Sequence, residues 1–353
     1  MTTSVLRQRI GFELELLAPR GSSRRELAVA LAQRHGGDVR PIWHADSEPA
    51  LVATLGGRFL HLTQGFEVVR ASGELLCTLV DDVTIVADLD VRADAPPGWH
   101  RLLTDDPRLL RLLAQLSDPG GSLENSLDAA AAAWRVPVER FGRTLRIESD
   151  GATIALATPS GSERERPCEI VTPPIVANHE AALSELLEVA KELGFSVPAE
   201  AAVHLHFDGK RFRDAEAFAN VVRLFGWWRE PLRALLETNP RCKRLAALPA
   251  ELVELVAGVP SWEALRDAAA RGRLGKFFDV NLTQVLRDDP VRDTLEVRIL
   301  PGAIDAAEVI ARAVLVEALL DRCCEAAPIP APPDTGDAAI EELGVIARRL
   351  PID

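Results

Sequence analysis

The sequence predicts an α+β protein built on an antiparallel sheet. Two observations lead there. Many short stretches alternate apolar and polar residues at the period of a half-buried strand. They are mixed with helical stretches without the regular strand–helix–strand rhythm of a parallel sheet. Strands are expected at 9–17, 58–70, 74–80, 83–89, 144–148, 152–157, 168–172, 202–207, 277–283 and 294–300. Helices are expected at 24–35, 107–116, 122–134, 178–193, 214–237, 249–257, 261–271, 305–326 and 337–349. Asn178 stands where a helix N-cap belongs, and Gly194 where a helix stops.

The organisation expected is one catalytic domain over 1–326, with a mostly helical insertion at about 93–142. A Pro-rich segment, "APIPAPPDTGD", then leads to a terminal helix within 327–353.

Composition narrows the function classes. The chain has 353 residues, is 47% hydrophobic and 26% charged, and carries a formal charge of −13. Such acidity disfavours a nucleic-acid partner gripped through its phosphates. The five cysteines form no CxxC pair, which suits a reducing cytoplasm. "MTTSVLRQRIGFELEL" lacks a continuous apolar run, so no signal peptide is expected. "AVLVEALL" is too short to span a bilayer, so no membrane partner is expected either. The absence of tyrosine beside abundant Arg, Ala and Leu suggests a GC-rich bacterial coding sequence.

Four strands put chemistry on one face, because residues two apart in a strand point the same way. "GFELEL" aligns Glu13 with Glu15. "CEIVTPP" presents Glu169. "VHLHFDG" aligns His204, His206 and Asp208. "TLEVRIL" aligns Glu296 with Arg298. Any one of these could be a solvated strand face. Surface strands draw on Thr, Lys and Ser as well, however, whereas these positions hold Glu, His and Arg. Acids close together repel, and a divalent cation relieves the repulsion. Carboxylates with an occasional imidazole suit Mg²⁺ or Mn²⁺.

In this order, "GFELEL", "CEIVTPPI", "AAVHLHFDG", "NPRCKRL", "FFDVNLT" and "LEVRIL" resemble the putative amidoligase family of carboxylate–amine ligases. The resemblance implies the catalytic fold of glutamine synthetase and glutamate–cysteine ligase, a curved antiparallel sheet forming a funnel flanked by helices. It implies an ATP- and Mg²⁺-dependent (or Mn²⁺-dependent) enzyme that makes an amide or peptide bond through an acyl phosphate. The partners implied are a small-molecule or peptide carboxylate and an amine acceptor. Glu13, Glu15, Glu169, His204, His206 and Glu296 would then be metal ligands. Arg298 would steady the transferring phosphoryl group, and Glu169 and Arg241 would join it as catalytic residues.

Arg241, Lys243 and Arg244 in "NPRCKRL" could grip phosphate or a substrate carboxylate, or could be a solvated cationic loop. Asn281 could orient substrate or cap a turn, and Lys276 is a further candidate for the nucleotide. Two other readings stay open: a Zn²⁺ hydrolase using His204 and His206, and a catalytically inactive binding member of the fold.

Overall fold

The computed structural model describes residues 5–46, 49–52, 57–334 and 336–348. Its elements begin with β1 (Ile10–Leu17), α1 (Arg24–Arg34), β2 (Asp38–Ala45), β3 (Ala50–Val52), β4 (Gly57–Val69), β5 (Leu75–Val80) and β6 (His100–Thr104). Then come α2 (Pro107–Leu116), α3 (Asp128–Trp134), β7 (Val138–Phe141), β8 (Thr144–Ser149), β9 (Ala152–Pro159), β10 (Pro167–Val171) and α4 (His179–Glu192). The chain continues with β11 (Ala202–Asp208), α5 (Ala215–Gly226), α6 (Arg229–Leu235), α7 (Ala250–Leu255) and α8 (Trp262–Arg271). It closes with β12 (Val280–Asn281), β13 (Thr294–Pro301), α9 (Ala306–Cys323) and α10 (Gly336–Arg348). Mixed helix and strand is thus the fold class.

The chain divides into two compact units. The first holds Met1–Leu14, Pro174–Leu187 and Glu200–Asp353; the second holds Glu15–Pro173 and Glu188–Ala199. Strand β1 and helix α4 each contribute residues to both.

In the first unit the strand order is β12-β13-β11-β1, open and antiparallel. The alternation in the sequence is what builds it. Phe12, Leu14, Leu205, Phe207, Leu295, Val297 and Ile299 point to one side and are buried there. Gly209 ends β11 where the chain approaches β13 closely: a Cβ at this position would sit 2.8 Å from Asp293 Oδ1 and 3.1 Å from the Thr294 nitrogen. Asp214 caps α5 by accepting from the Glu216 and Ala217 N–H groups.

In the second unit the order is β10-β5-β4-β6-β9-β8-β7, with β2 and β3 also paired to β4. Leu62, Leu102, Leu145 and Ala157 line one face and pack with Leu110 and Leu113 of α2 and Ala130 and Ala131 of α3. Asp106 caps α2, and Pro107 at its first position needs no N–H partner.

Several expected elements differ. Residues 83–89 are turns, not a strand. There the Asp82 carboxylate accepts from both the backbone N–H and the hydroxyl of Thr84, a local bond that competes with ladder pairing. Strands β2, β3, β6 and β7 were not expected, and 277–283 shortens to the two residues of β12. The helix at 214–237 divides at Trp227–Trp228 into α5 and α6. The interval 93–142 holds helices α2 and α3, but it also supplies β6, which pairs with β4 and β9.

The Pro-rich segment is clamped. Ile329 donates its N–H to Asn220 Oδ1, Trp228 Nε1 donates to the Pro330 carbonyl, and Arg322 donates to the carbonyls of Ala327 and Pro328. Helix α10 packs on α6 and α9. All five cysteines are free.

Candidate metal centre

The register of the first unit's sheet assembles a polar face. Glu13 lies opposite His204. His206 lies opposite Glu296, and Glu296 opposite Asn281. Directly opposed residues of antiparallel strands share a face. Residues nearly three hundred positions apart therefore meet because three strands pair, not because they are neighbours in sequence.

Side-chain distances bear this out. Glu13 approaches His204 Nδ1 at 3.1 Å through one carboxylate oxygen and His206 Nε2 at 3.0 Å through the other. The His206 contact is poorly aligned for a hydrogen bond, so it acts as a charge contact. His204 Nδ1 is also 3.7 Å from Glu296. Arg298 Nη1 donates to Glu296 Oε1, and the Asn281 amide donates to Glu296 Oε2 at 2.8 Å. Glu13, His206 and Glu296 each present one ligand atom, all within 4.8 Å of one another.

The electrostatics are tightly balanced. Burial pushes the Glu13 carboxyl up, but the His206 charge and the His204 hydrogen bond win, holding it well below the usual carboxylate range. Burial likewise opposes ionisation of Glu296, and Arg298 followed by the two histidines outweighs it, so its pKa is lowered. For His206, burial disfavours the charged ring, yet Glu13 and then Glu296 raise its pKa above the ordinary value. Arg298 and the two imidazoles thus face the two acids. A metal ion ligated by His206 would compete with a proton for the ring nitrogen. The donor set fits such an ion: two carboxylates and one imidazole, mostly buried, are the mixture that Mg²⁺ and Mn²⁺ accept.

The remaining expected residues lie on several elements. Glu15 and Glu169 belong to the second unit, Glu15 at the end of β1 and Glu169 on β10 opposite Val80. Arg241 and Lys243 are exposed on a loop of the first unit. That loop runs beside the approach to β12, where Ala246 bridges Phe278. Lys276 and Arg244 both place their charge 5.0 Å from the centre of the Phe277 ring. Asn281 has two roles, since its Oδ1 also accepts from the N–H and hydroxyl of Thr283.

Two features were not read from the sequence. Thr294 Oγ1 lies 3.4 Å from His206 Nδ1. Its signal was its place two residues before Glu296 on one strand face. The second feature is Asp279, almost fully buried beside β12 and ion-paired with Arg229 Nε at 2.7 Å and Arg233 Nη1 at 2.8 Å. Arg229 and Arg233 are one helical turn apart, a spacing that leaves their partner open.

Two acids, two imidazoles and an arginine on one sheet face define an enzyme-like centre suited to cations and anionic oxygens. The chain belongs to the family described as putative amidoligase enzyme, which it matches over residues 6–320, a span drawing on both units. That membership supports an amide-bond-forming ligase. Neither the curated proteins nor the solved structures include a match to this chain. Among the described residues, no helix is long and apolar enough to cross a membrane.

Proposed function

We propose that the protein is an ATP- and Mg²⁺-dependent (or Mn²⁺-dependent) carboxylate–amine ligase that works through an acyl phosphate. The observation that carries this reading is the convergence of Glu13, His206 and Glu296 within metal-ligand range. These three would hold the ion, whose bound charge offsets that of the nucleotide phosphates.

A carboxylate is a poor electrophile, because attack on it must expel oxide. Its oxygen instead attacks the γ-phosphorus of ATP, and ADP leaves. The amine nitrogen then attacks the acyl carbon, and phosphate leaves with the C–O bonding pair. The first step needs positioning and charge neutralisation more than covalent help. Arg298 would exchange its contact with Glu296 for a phosphoryl oxygen, using its planar donor fork. Asn281 keeps Glu296 oriented through its amide. Arg241 and Lys243 would meet the nucleotide from their exposed loop, with Lys276 beside Phe277. The amine proton would pass to a carboxylate of the cluster.

Phosphate release from ATP, screened over pairs of carboxylates and amines, tests the reading. We expect release that depends on both members of a pair and drops at least ~100-fold in Glu13→Gln, a loss on the scale of a key electrostatic group. The reading fails if no pair stimulates release and Glu13→Gln binds nucleotide like the parent. Tightly held Zn²⁺ without nucleotide binding would favour a hydrolase instead.

A further inference from the structure

We propose that the second unit binds the carboxylate of a small organic acid, through a site built on Arg101, Thr63 and His61. The proposal does not rest on the ligase reading, since none of these residues belongs to the candidate metal centre.

The site follows from strand register. Thr63 on β4 lies opposite His44 on β2 and Arg101 on β6, and Arg101 lies opposite Thr158 on β9. Opposed residues share a face, so one polar row crosses four strands. The neighbouring positions Leu62, Leu102 and Ala157 face the other way, into the core with α2 and α3. The polar row is therefore not required by that core.

Among the described residues, three members of this face each carry a buried polar atom with no hydrogen-bond partner. Arg101 is half-buried, and its guanidinium has no hydrogen bond or ion pair with any described residue. Its Nε is fully buried, whereas its terminal nitrogens are not among the buried orphans. Thr63 is 4% exposed and its hydroxyl is buried without a partner. His61, two residues along β4, is 2% exposed, and its Nδ1 is likewise buried and unpartnered. Each such group costs free energy unless something satisfies it, and a protein rarely keeps three on one face.

The charges indicate what would satisfy them. Two acids, Asp81 and Asp46, act on this neighbourhood, and Asp81 is already bound by Arg164 through two hydrogen bonds. Burial chiefly disfavours the charge on Arg101, Arg164 adds to that, and Asp81 opposes it. An anion would relieve both the unpaired guanidinium and the repulsion from Arg164, and a planar carboxylate matches the guanidinium fork. Thr63, directly across from Arg101, can donate to the same group. His61 stands diagonal to Arg101, roughly 7–8 Å away by strand geometry. Burial lowers its pKa, and its Nδ1 would pair with a hydroxyl or amine elsewhere on the bound acid, since a carboxylate has no hydrogen to donate. Phe59, Leu103 and Leu156 form a small apolar cluster on the same face, where the carbon body of the acid would rest.

Calorimetric titration of the full chain, without nucleotide or metal, tests the site. The probes are propionate, lactate and glutarate, with inorganic phosphate as the competing oxyanion. We expect at least one acid to bind. Arg101→Gln and Thr63→Val should each weaken it by about tenfold or more while melting like the parent. The proposal is overturned if no acid binds the parent, if phosphate alone binds, or if whichever variants remain folded bind the acid as tightly as the parent.

Discussion

Glu296 receives Arg298 on one oxygen and the Asn281 amide on the other, while His204 and His206 flank it. The carboxylate is thereby fixed before any cation arrives. Asn281 acts through Glu296, so Asn281→Ala should weaken Mn²⁺ binding by about tenfold, the usual scale for a residue that orients a ligand. A Mn²⁺ titration followed by electron paramagnetic resonance reads this directly. An unchanged affinity would show that Asn281 serves only the turn at Thr283. Asp279 makes a different prediction. Removing it by Asp279→Ala strands Arg229 and Arg233 beside a buried site, at a cost of about 3 kcal/mol in urea unfolding.

Strands β1, β11 and β13 were legible because each is apolar on one face and chemically loaded on the other. Strand β2 was not, because Pro41 sits within "DVRPIWHA" and argues against a strand. It is tolerated because the pairing of β2 is to β4 alone, so a missing donor costs little there. "VTIVADL" failed in the opposite sense: its composition is that of a strand, but the carboxylate of Asp82 takes the next backbone donors into a turn. Capping was easier to read, and Asp214→Ala should destabilise α5 by ~1 kcal/mol in a thermal or urea melt. The paired strands also set a pH dependence. The pKa of His206 is raised in the folded state by Glu13 and Glu296. Its stabilising charge is fully present below the ordinary histidine range and is lost as pH rises through the raised value. Metal binding needs the neutral ring, so it follows the opposite course. Mn²⁺ affinity should rise by up to about tenfold per pH unit across that interval, and His206→Asn should flatten the slope.

For the molecule as a whole, acid is the informative perturbant. Burial pushes the Asp81 carboxyl up, but Arg164 and Arg24 outweigh it and hold its pKa below the usual aspartate value. The stability it contributes is present above the unfolded-state pKa and is lost as pH falls through the lowered one. Urea unfolding at about pH 7 and about pH 3 should therefore show a loss that is smaller in Asp81→Asn, a variant already weakened by ~3 kcal/mol at neutral pH. Equal acid sensitivity in the two proteins would remove Asp81 from that account.

The sequence by itself determined the fold class, the half-wet strands and the residue types at the metal centre. Those depend on a two-residue period and on side-chain chemistry, both written locally. Tertiary structure decided which of those residues meet. Register brings Glu13 to His204 and His206 to Glu296, and pairing register over such separations is a property of whole strands. It also decided what no motif marked: the Arg229–Asp279–Arg233 brace and the polar row through Thr63 and Arg101. Both are defined by the partners a side chain has or lacks, and only the folded chain fixes those.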